Sequence, residues 1–321
     1  MEQPVTISLI IATYNGQNTL DKTLASINRM DSVDDVLLNI IIINNNSTDQ
    51  TATMLEAFEC QFALDILFQP KAGKNAALNT IFDDKVYLGE LLIFSDDDVI
   101  FPKNFITKYY SLYKQHKDFG VFGGRIAALW PSPPDPNLLA GINPVVAFAI
   151  TPETAGYFEG EIDPIKLHGP NMAIVKQAFS QGLRFNENIG PNGGDYVMGS
   201  ETDMLYQLKR RQIKAYYCSS LEVQHIIRPA QLTTQWLAAR AVKAGRSLVH
   251  HHLNQNSHAK VAMLFGYPRW AVMKYVKDSL RHFFCFGARS VTFYQTLWAR
   301  NHIKGYLLEY VKQNKSMSSA A

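Results

Sequence analysis

The 321-residue chain is long enough for one large α/β domain with an appendage, or for two smaller domains. Its 47% hydrophobic and 18% charged content excludes a disordered chain, and three scattered cysteines argue against a disulfide framework or a zinc knuckle. The net charge of +3 conceals an asymmetry: from Leu232 onward 13 lysines and arginines face only Asp278 and Glu309, a balance of +11, so the first 231 residues carry −8.

Val5 to Ala12 is a β-branched apolar run that predicts a strand, closed by a turn at Tyr14-Asn15-Gly16. Leu20, Leu24 and Ile27 then recur at helical spacing. Val36 to Ile43 predicts the second strand, and Asn44-Asn45-Asn46 breaks it. Ser47-Thr48-Asp49-Gln50 reads as a capping box opening a helix that runs through Phe58. Phe62 to Phe68 gives a third strand, Asn75 to Phe82 a helix, and Leu91 to Phe94 a fourth strand. This alternation implies parallel strands joined by right-handed crossovers.

The fourth strand runs directly into Asp96-Asp97-Asp98. In extended backbone the side chains of Asp96 and Asp98 share a face. Two carboxylates about 4 Å apart repel by roughly 4 kcal/mol at an effective dielectric near 20. A divalent cation relieves that cost, and oxygen donors at a strand's carboxyl end suit Mg²⁺ or Mn²⁺. The plain alternative is a solvated acidic turn.

Gly120 to Leu129 reads as a strand, followed by the proline-rich Pro131 to Pro136. Gly190, Gly193, Gly194 and Gly199 make Asn186 to Gly199 a loop suited to act as a lid. Ser200 to Arg211 predicts a helix, and Ala215 to Cys218 and Glu222 to His225 predict two short strands. Beyond Pro229 the chain reads as helical to about Lys312, with breaks near Asn254, Gly266 and Gly287. His250, His251 and His252 would fan out around such a helix rather than share a metal. No secretory signal or spanning stretch is expected, so the predicted compartment is the cytoplasm. The basic, aromatic-rich tail has two readings: an anionic membrane surface at the inner face of the plasma membrane, or a helical subdomain with a solvated basic face. Nucleic acid is not the expected partner.

Six segments, in order, resemble the inverting family 2 glycosyltransferases of the GT-A fold: Ile10 to Asn15, Asn44 to Asp49, Gly73 to Asn79, Asp96 to Asp98, Gly169 to Ala173 and Gly199 to Asp203. His225 stands where such enzymes often carry a histidine. The resemblance implies a mixed, mostly parallel Rossmann-like sheet flanked by helices over residues 1–230, with a nucleotide-sugar half at 1–100, an acceptor half at 101–230 and a helical extension at 231–321. It implies transfer of a single sugar from a nucleotide-sugar donor to a glycan or lipid-linked acceptor, in cell-surface polysaccharide or glycolipid synthesis. Thr13, Tyr14, Asn15, Asn44, Asn46, Lys74, Asn79, Asp96, Asp97 and Asn171 would bind the donor. Asp98, with Asp96 and His225, would hold Mn²⁺ or Mg²⁺. Glu201 would be the general base, already ionised at neutral pH, and Asp203 either a helix cap or an acceptor-orienting acid.

The chain departs from that pattern at Asn44, where many relatives place an aspartate against the base. An amide accepts but also donates, which weakens the case for UDP, the first expectation for the donor. Two rival readings are a sugar nucleotidyltransferase, which would want a Gly-rich basic loop after the first strand, and an inactive scaffold of the same fold at a membrane.

Overall fold

The computed structural model describes residues 3–83, 86–152, 156–192, 194, 196–255, 262–285 and 289–319. Its elements fall into two compact units: Met1–Leu129 with Ala149–Gly194 and Ser200–Ile226, and Trp130–Phe148 with Asp195–Gly199 and Ile227–Ala321.

The first unit is built on one sheet. Strands β1 (Val5–Thr13), β2 (Val36–Asn44), β3 (Ala63–Phe68) and β4 (Leu91–Asp96) lie parallel in the order β3-β2-β1-β4. Helices α1 (Leu20–Ile27), α2 (Thr51–Glu56) and α3 (Lys74–Asn79) connect them. The central strands are near-continuous Ile and Leu because both faces are covered, with Ile7, Leu9, Ile40, Ile42, Leu91 and Ile93 buried. Each such side chain contributes about 1.5–3 kcal/mol on burial. The alternation seen in the sequence is thus the observed chain order.

Beyond β4 the sheet turns mixed. The antiparallel strand β8 (Met172–Val175) lies between β4 and β6 (Val121–Leu129), and β9 (Ala215–Ile226) pairs parallel with β6. Short β5 (Val99–Ile100) and β7 (Gly160–Ile162) run antiparallel to β9. Helix α4 (Phe105–Gln115) belongs to the same unit.

The two short strands expected at the end of this unit are one long strand with a bulge. Pairing shifts from Gly124↔Cys218 to Arg125↔Glu222, so Ser219 to Leu221 are looped out. Gly124 permits this, because a Cβ there would lie 2.0 Å from the Leu221 carbonyl oxygen. The expected capping box at Ser47 is also displaced. Helix α2 begins at Thr51, and Asp49 accepts from the Thr51 N–H at 3.0 Å and from its hydroxyl.

In the second unit α5 (Pro136–Gly141) and α6 (Pro144–Phe148) accompany α8 (Thr234–Gln255), α9 (Arg269–Phe284) and α10 (Val291–Ser319). Helix α7 (Ser200–Arg210) belongs to the first unit. A hairpin of β10 (Met263–Leu264) and β11 (Tyr267–Pro268) precedes α9 at the predicted Gly266 break. Helices α8 and α10 cross through paired glycines: a Cβ on Gly245 would lie 1.8 Å from the His302 oxygen, and one on Gly305 1.9 Å from the Val242 oxygen. The side chains of His250, His251 and His252, and the break at Gly287, lie outside the described residues. No helix among the described residues is long and apolar enough to cross a membrane.

Candidate active site

Three loops at the carboxyl ends of the parallel strands are tied together by their own asparagines. The Asn15 N–H donates to Ser47 Oγ at 3.1 Å, and Asn15 Oδ1 accepts from the Thr48 N–H at 2.8 Å. Asn15 and Asn46 hold φ of +52° and +57°, a region that asparagine tolerates better than most residues. Asn44 Oδ1 accepts from the Ser47 N–H at 3.0 Å, closing a local turn. Buried Asn45 is a residue that sequence reasoning passed over. Its amide donates to the Gln69 and Lys71 carbonyls and accepts from the Gly73 N–H, all within 3.0 Å. The signal was the asparagine triplet itself, in which the middle member points inward.

These ties set the start of α3 and so the placement of Lys74. Its ammonium lies 2.5 Å from Asp96 Oδ1 and also contacts Glu201 Oε1. The segment expected to be a lid braces the same helix. Asn75 donates to the Asn186 and Ile189 carbonyls and accepts from the Ser200 hydroxyl, and the Asn79 amide engages Phe185 and Glu187. Phe185 to Ile189 are therefore anchored, because the amides of buried Asn75 and half-buried Asn79 engage their polar groups; Gly193 lies outside the described residues.

Glu201 sits in the first turn of α7. Gly169 makes room for it, since a Cβ there would lie 2.6 Å from Glu201 Oε1. His168 adjoins the carboxylate, and burial pushes its pKa down to about 4 against the attraction of Glu201. His168 was not anticipated; its only sequence signal is its position beside the Gly169-Pro170-Asn171 motif. Burial would lower the Lys74 pKa, but Asp96 and Glu201 together outweigh it and raise it. Burial likewise raises the Asp96 carboxyl, with Lys74 opposing and Glu201 and Asp98 reinforcing. Asp203 accepts from Gln207 Nε2 at 2.8 Å, one turn along its own helix.

The β5–β9 ladder brings His225 beside the acidic triplet. Val99 pairs with His225, the Ile226 N–H donates to the Asp98 carbonyl at 2.8 Å, and His225 Nε2 lies 3.1 Å from Asp98 Oδ1. Asp97 turns the other way and accepts from Thr13 Oγ1 at 2.5 Å, while Gly16 leaves space for that pair. Asn171, expected on the donor, is instead buried and spent within the protein. It accepts from the Tyr109 hydroxyl and donates to the Arg125 and Leu221 carbonyls, which holds the β9 bulge. Tyr14 is 48% exposed beside these loops.

The donor chemistry at Asp98 and His225 fits a divalent cation: a carboxylate and an imidazole stand side by side. Among the described residues no three His, Cys, Asp or Glu side chains converge as a cluster. The expected triad of Asp96, Asp98 and His225 is not assembled, because Asp96 is engaged by Lys74. A separate cavity of about 850 Å³, lined by Ile81, Phe82, Tyr113, Phe179 and Arg184 among others, includes none of these residues.

Known proteins agree with this architecture. An uncharacterized glycosyltransferase of Bacillus subtilis (strain 168), YfnE, is 29% identical over 116 residues, which span 36% of this chain and 29% of that protein. The match thus covers well under half of the relative's length. The structure of mannosyltransferase PcManGT from Pyrobaculum calidifontis, in complex with GDP-Man and Mn²⁺, superposes with a TM-score of 0.55 at 15% identity, covering 100% of this chain and 77% of that one. S. aureus TarS 1-349 in complex with UDP-GlcNAc does so with a TM-score of 0.56 at 13% identity, covering 96% of this chain and 92% of that one. These likenesses establish the GT-A fold. The model of glycosyl transferase family 2 matches residues 8–181, more than half of the sequence, and the chain belongs to that family.

Proposed function

We propose that this protein is an inverting, metal-dependent glycosyltransferase that moves one sugar from a nucleotide-sugar donor to the hydroxyl of a glycan or lipid-linked acceptor of the cell surface. The observation that carries the reading is the placement of Asp96, at the tip of β4, and Glu201, at the start of α7, on the same Lys74 ammonium.

In this reading the donor lies along the loops after β1, β2 and β4, with Tyr14, Asn15 and Asn46 toward the nucleotide. PcManGT with GDP-Man and TarS with UDP-GlcNAc support a nucleotide-sugar donor on this fold. Asp98 and His225 would hold Mn²⁺ or Mg²⁺, and PcManGT was solved with Mn²⁺. When bound, the cation supplies counter-charge to the departing diphosphate. Glu201 takes the proton of the acceptor hydroxyl as that oxygen bonds to the anomeric carbon. The bond from that carbon to the phosphate oxygen breaks, and its electron pair leaves with the diphosphate. Attack from the face opposite the leaving group inverts the anomeric centre. Lys74 bridges both carboxylates, offsetting their mutual repulsion, and offers a positive point charge to the phosphates.

Two substitutions test the assignment with UDP- and GDP-sugars as probes. Glu201→Gln should keep donor binding while turnover falls by roughly 10²–10⁴. Asp98→Asn should abolish the Mn²⁺ dependence of donor binding. Near-normal turnover in the first variant moves the base to Asp203. Release of pyrophosphate from a nucleoside triphosphate would favour a nucleotidyltransferase, and no binding of any donor would favour an inactive scaffold.

A further inference from the structure

Helix α9 wears its polarity inside out. Its inward face carries Asp278 and His282, both buried with Ala271; Asp278 pairs with Lys274 at 2.7 Å, and His282 Nδ1 lies 3.1 Å from Thr296 Oγ1. Its outward face carries Met273, Val276, Leu280, Phe283 and Phe284, which are between 48% and 82% exposed. Their spacing places them on one stripe about 100° wide. Lys274, Lys277 and Arg281, all exposed, line one flank of that stripe. The hairpin just before the helix adds Phe265, 89% exposed with φ of +50° followed by Gly266 at +80°. A positive φ is costly for a large aromatic, and here it turns the ring into solvent.

From these features we infer that α9 and the Phe265 turn form a docking surface for an anionic phospholipid bilayer, with the helix lying in the interface plane. An apolar ridge bordered by lysine and arginine is the pattern of an interfacial helix, with the ridge entering the acyl boundary and the basic flank meeting anionic headgroups. Charge selects this occupant over a second copy of the chain. The only acids from residue 232 onward are Asp278 and Glu309, and both are 3% exposed. A self-complementary contact around the ridge would bring its basic flanks together without a counter-charge from this segment. This inference stands apart from the glycosyl-transfer reading and survives its failure.

The test is flotation of the full chain with vesicles of phosphatidylcholine, alone or mixed with phosphatidylglycerol, alongside sedimentation equilibrium without lipid. The expected result is partitioning onto the mixed vesicles that weakens with salt. Phe283→Ser with Phe284→Ser, and separately Lys277→Glu with Arg281→Glu, should each reduce it at least about tenfold. Unchanged melting temperatures, expected for such exposed positions, exclude misfolding as the cause. Absence of binding to the mixed vesicles, or binding indifferent to both double variants, overturns the inference. So does self-association in the absence of lipid that the Phe283→Ser, Phe284→Ser variant abolishes, which would assign the ridge to a second copy.

Discussion

Lys74 sits between two carboxylates with its side chain 17% exposed, and Asp96 and Glu201 are each 25% exposed. Removing the ammonium would leave like charges facing each other with little water to screen them. Lys74→Met should therefore lower stability by about 1–3 kcal/mol at neutral pH, with a smaller loss at a second, lower pH, because protonating a carboxyl relieves the repulsion. Urea unfolding at the two pH values measures this, and an equal loss at both would contradict the electrostatic account. His168 makes a second pH-dependent contribution. Its pKa falls from an ordinary 6.5 to about 4 on folding, so the unfolded chain binds more protons between those values. Its contribution to stability is fully present above pH 6.5 and is lost as pH falls toward 4, at up to about 1.4 kcal/mol per unit. His168→Gln should flatten that limb in part, because burial also holds His282 and His302 below the ordinary value. A slope unchanged from the wild type would show that His168 is not enclosed as described. The acidic triplet was visible in the sequence as an oddity at the end of an apolar run. Its sharing of Lys74 with Glu201 was not, since 22 residues separate Lys74 from Asp96 and 127 from Glu201.

At the level of elements, periodicity carried the parallel strands because their burial on both faces writes itself as Val5 to Ala12, Val36 to Ile43 and Leu91 to Phe94. It failed where a partner strand decides the pairing. Ser219 and Ser220 read as a break between two strands, yet the chain continues through a bulge that Gly124 admits and Asn171 fastens. The helical unit depends on a comparable close approach. A methyl group on Gly305 would meet the backbone of Val242 at 1.9 Å, so α8 and α10 would have to separate. Gly305→Ala should cost at least about 1–3 kcal/mol, read as a lower denaturant midpoint. A gain in stability, as expected for alanine on a solvent-facing helix, would mean that the crossing is looser than it stands here.

Over the whole molecule, ligand linkage offers a test that needs no acceptor. A nucleotide-sugar donor with Mn²⁺ should raise the melting temperature of the wild type, and by more than either alone, because binding to the native state is folding free energy: about 2.7 kcal/mol at a hundredfold excess over Kd. No shift with any UDP- or GDP-sugar would count against the donor site. The charge split, −8 before Leu232 and +11 after it, was plain from composition. Composition could not say that α9 turns Asp278 and His282 inward and Phe283 and Phe284 outward. By itself the amino-acid order determined the strand–helix alternation and the family, since both rest on local apolar patterns and short motifs that each segment carries alone. Only the tertiary structure decided which side chains are spent on the scaffold, such as Asn171, and which converge, such as Lys74 with Asp96 and Glu201, because such contacts join residues far apart in the chain.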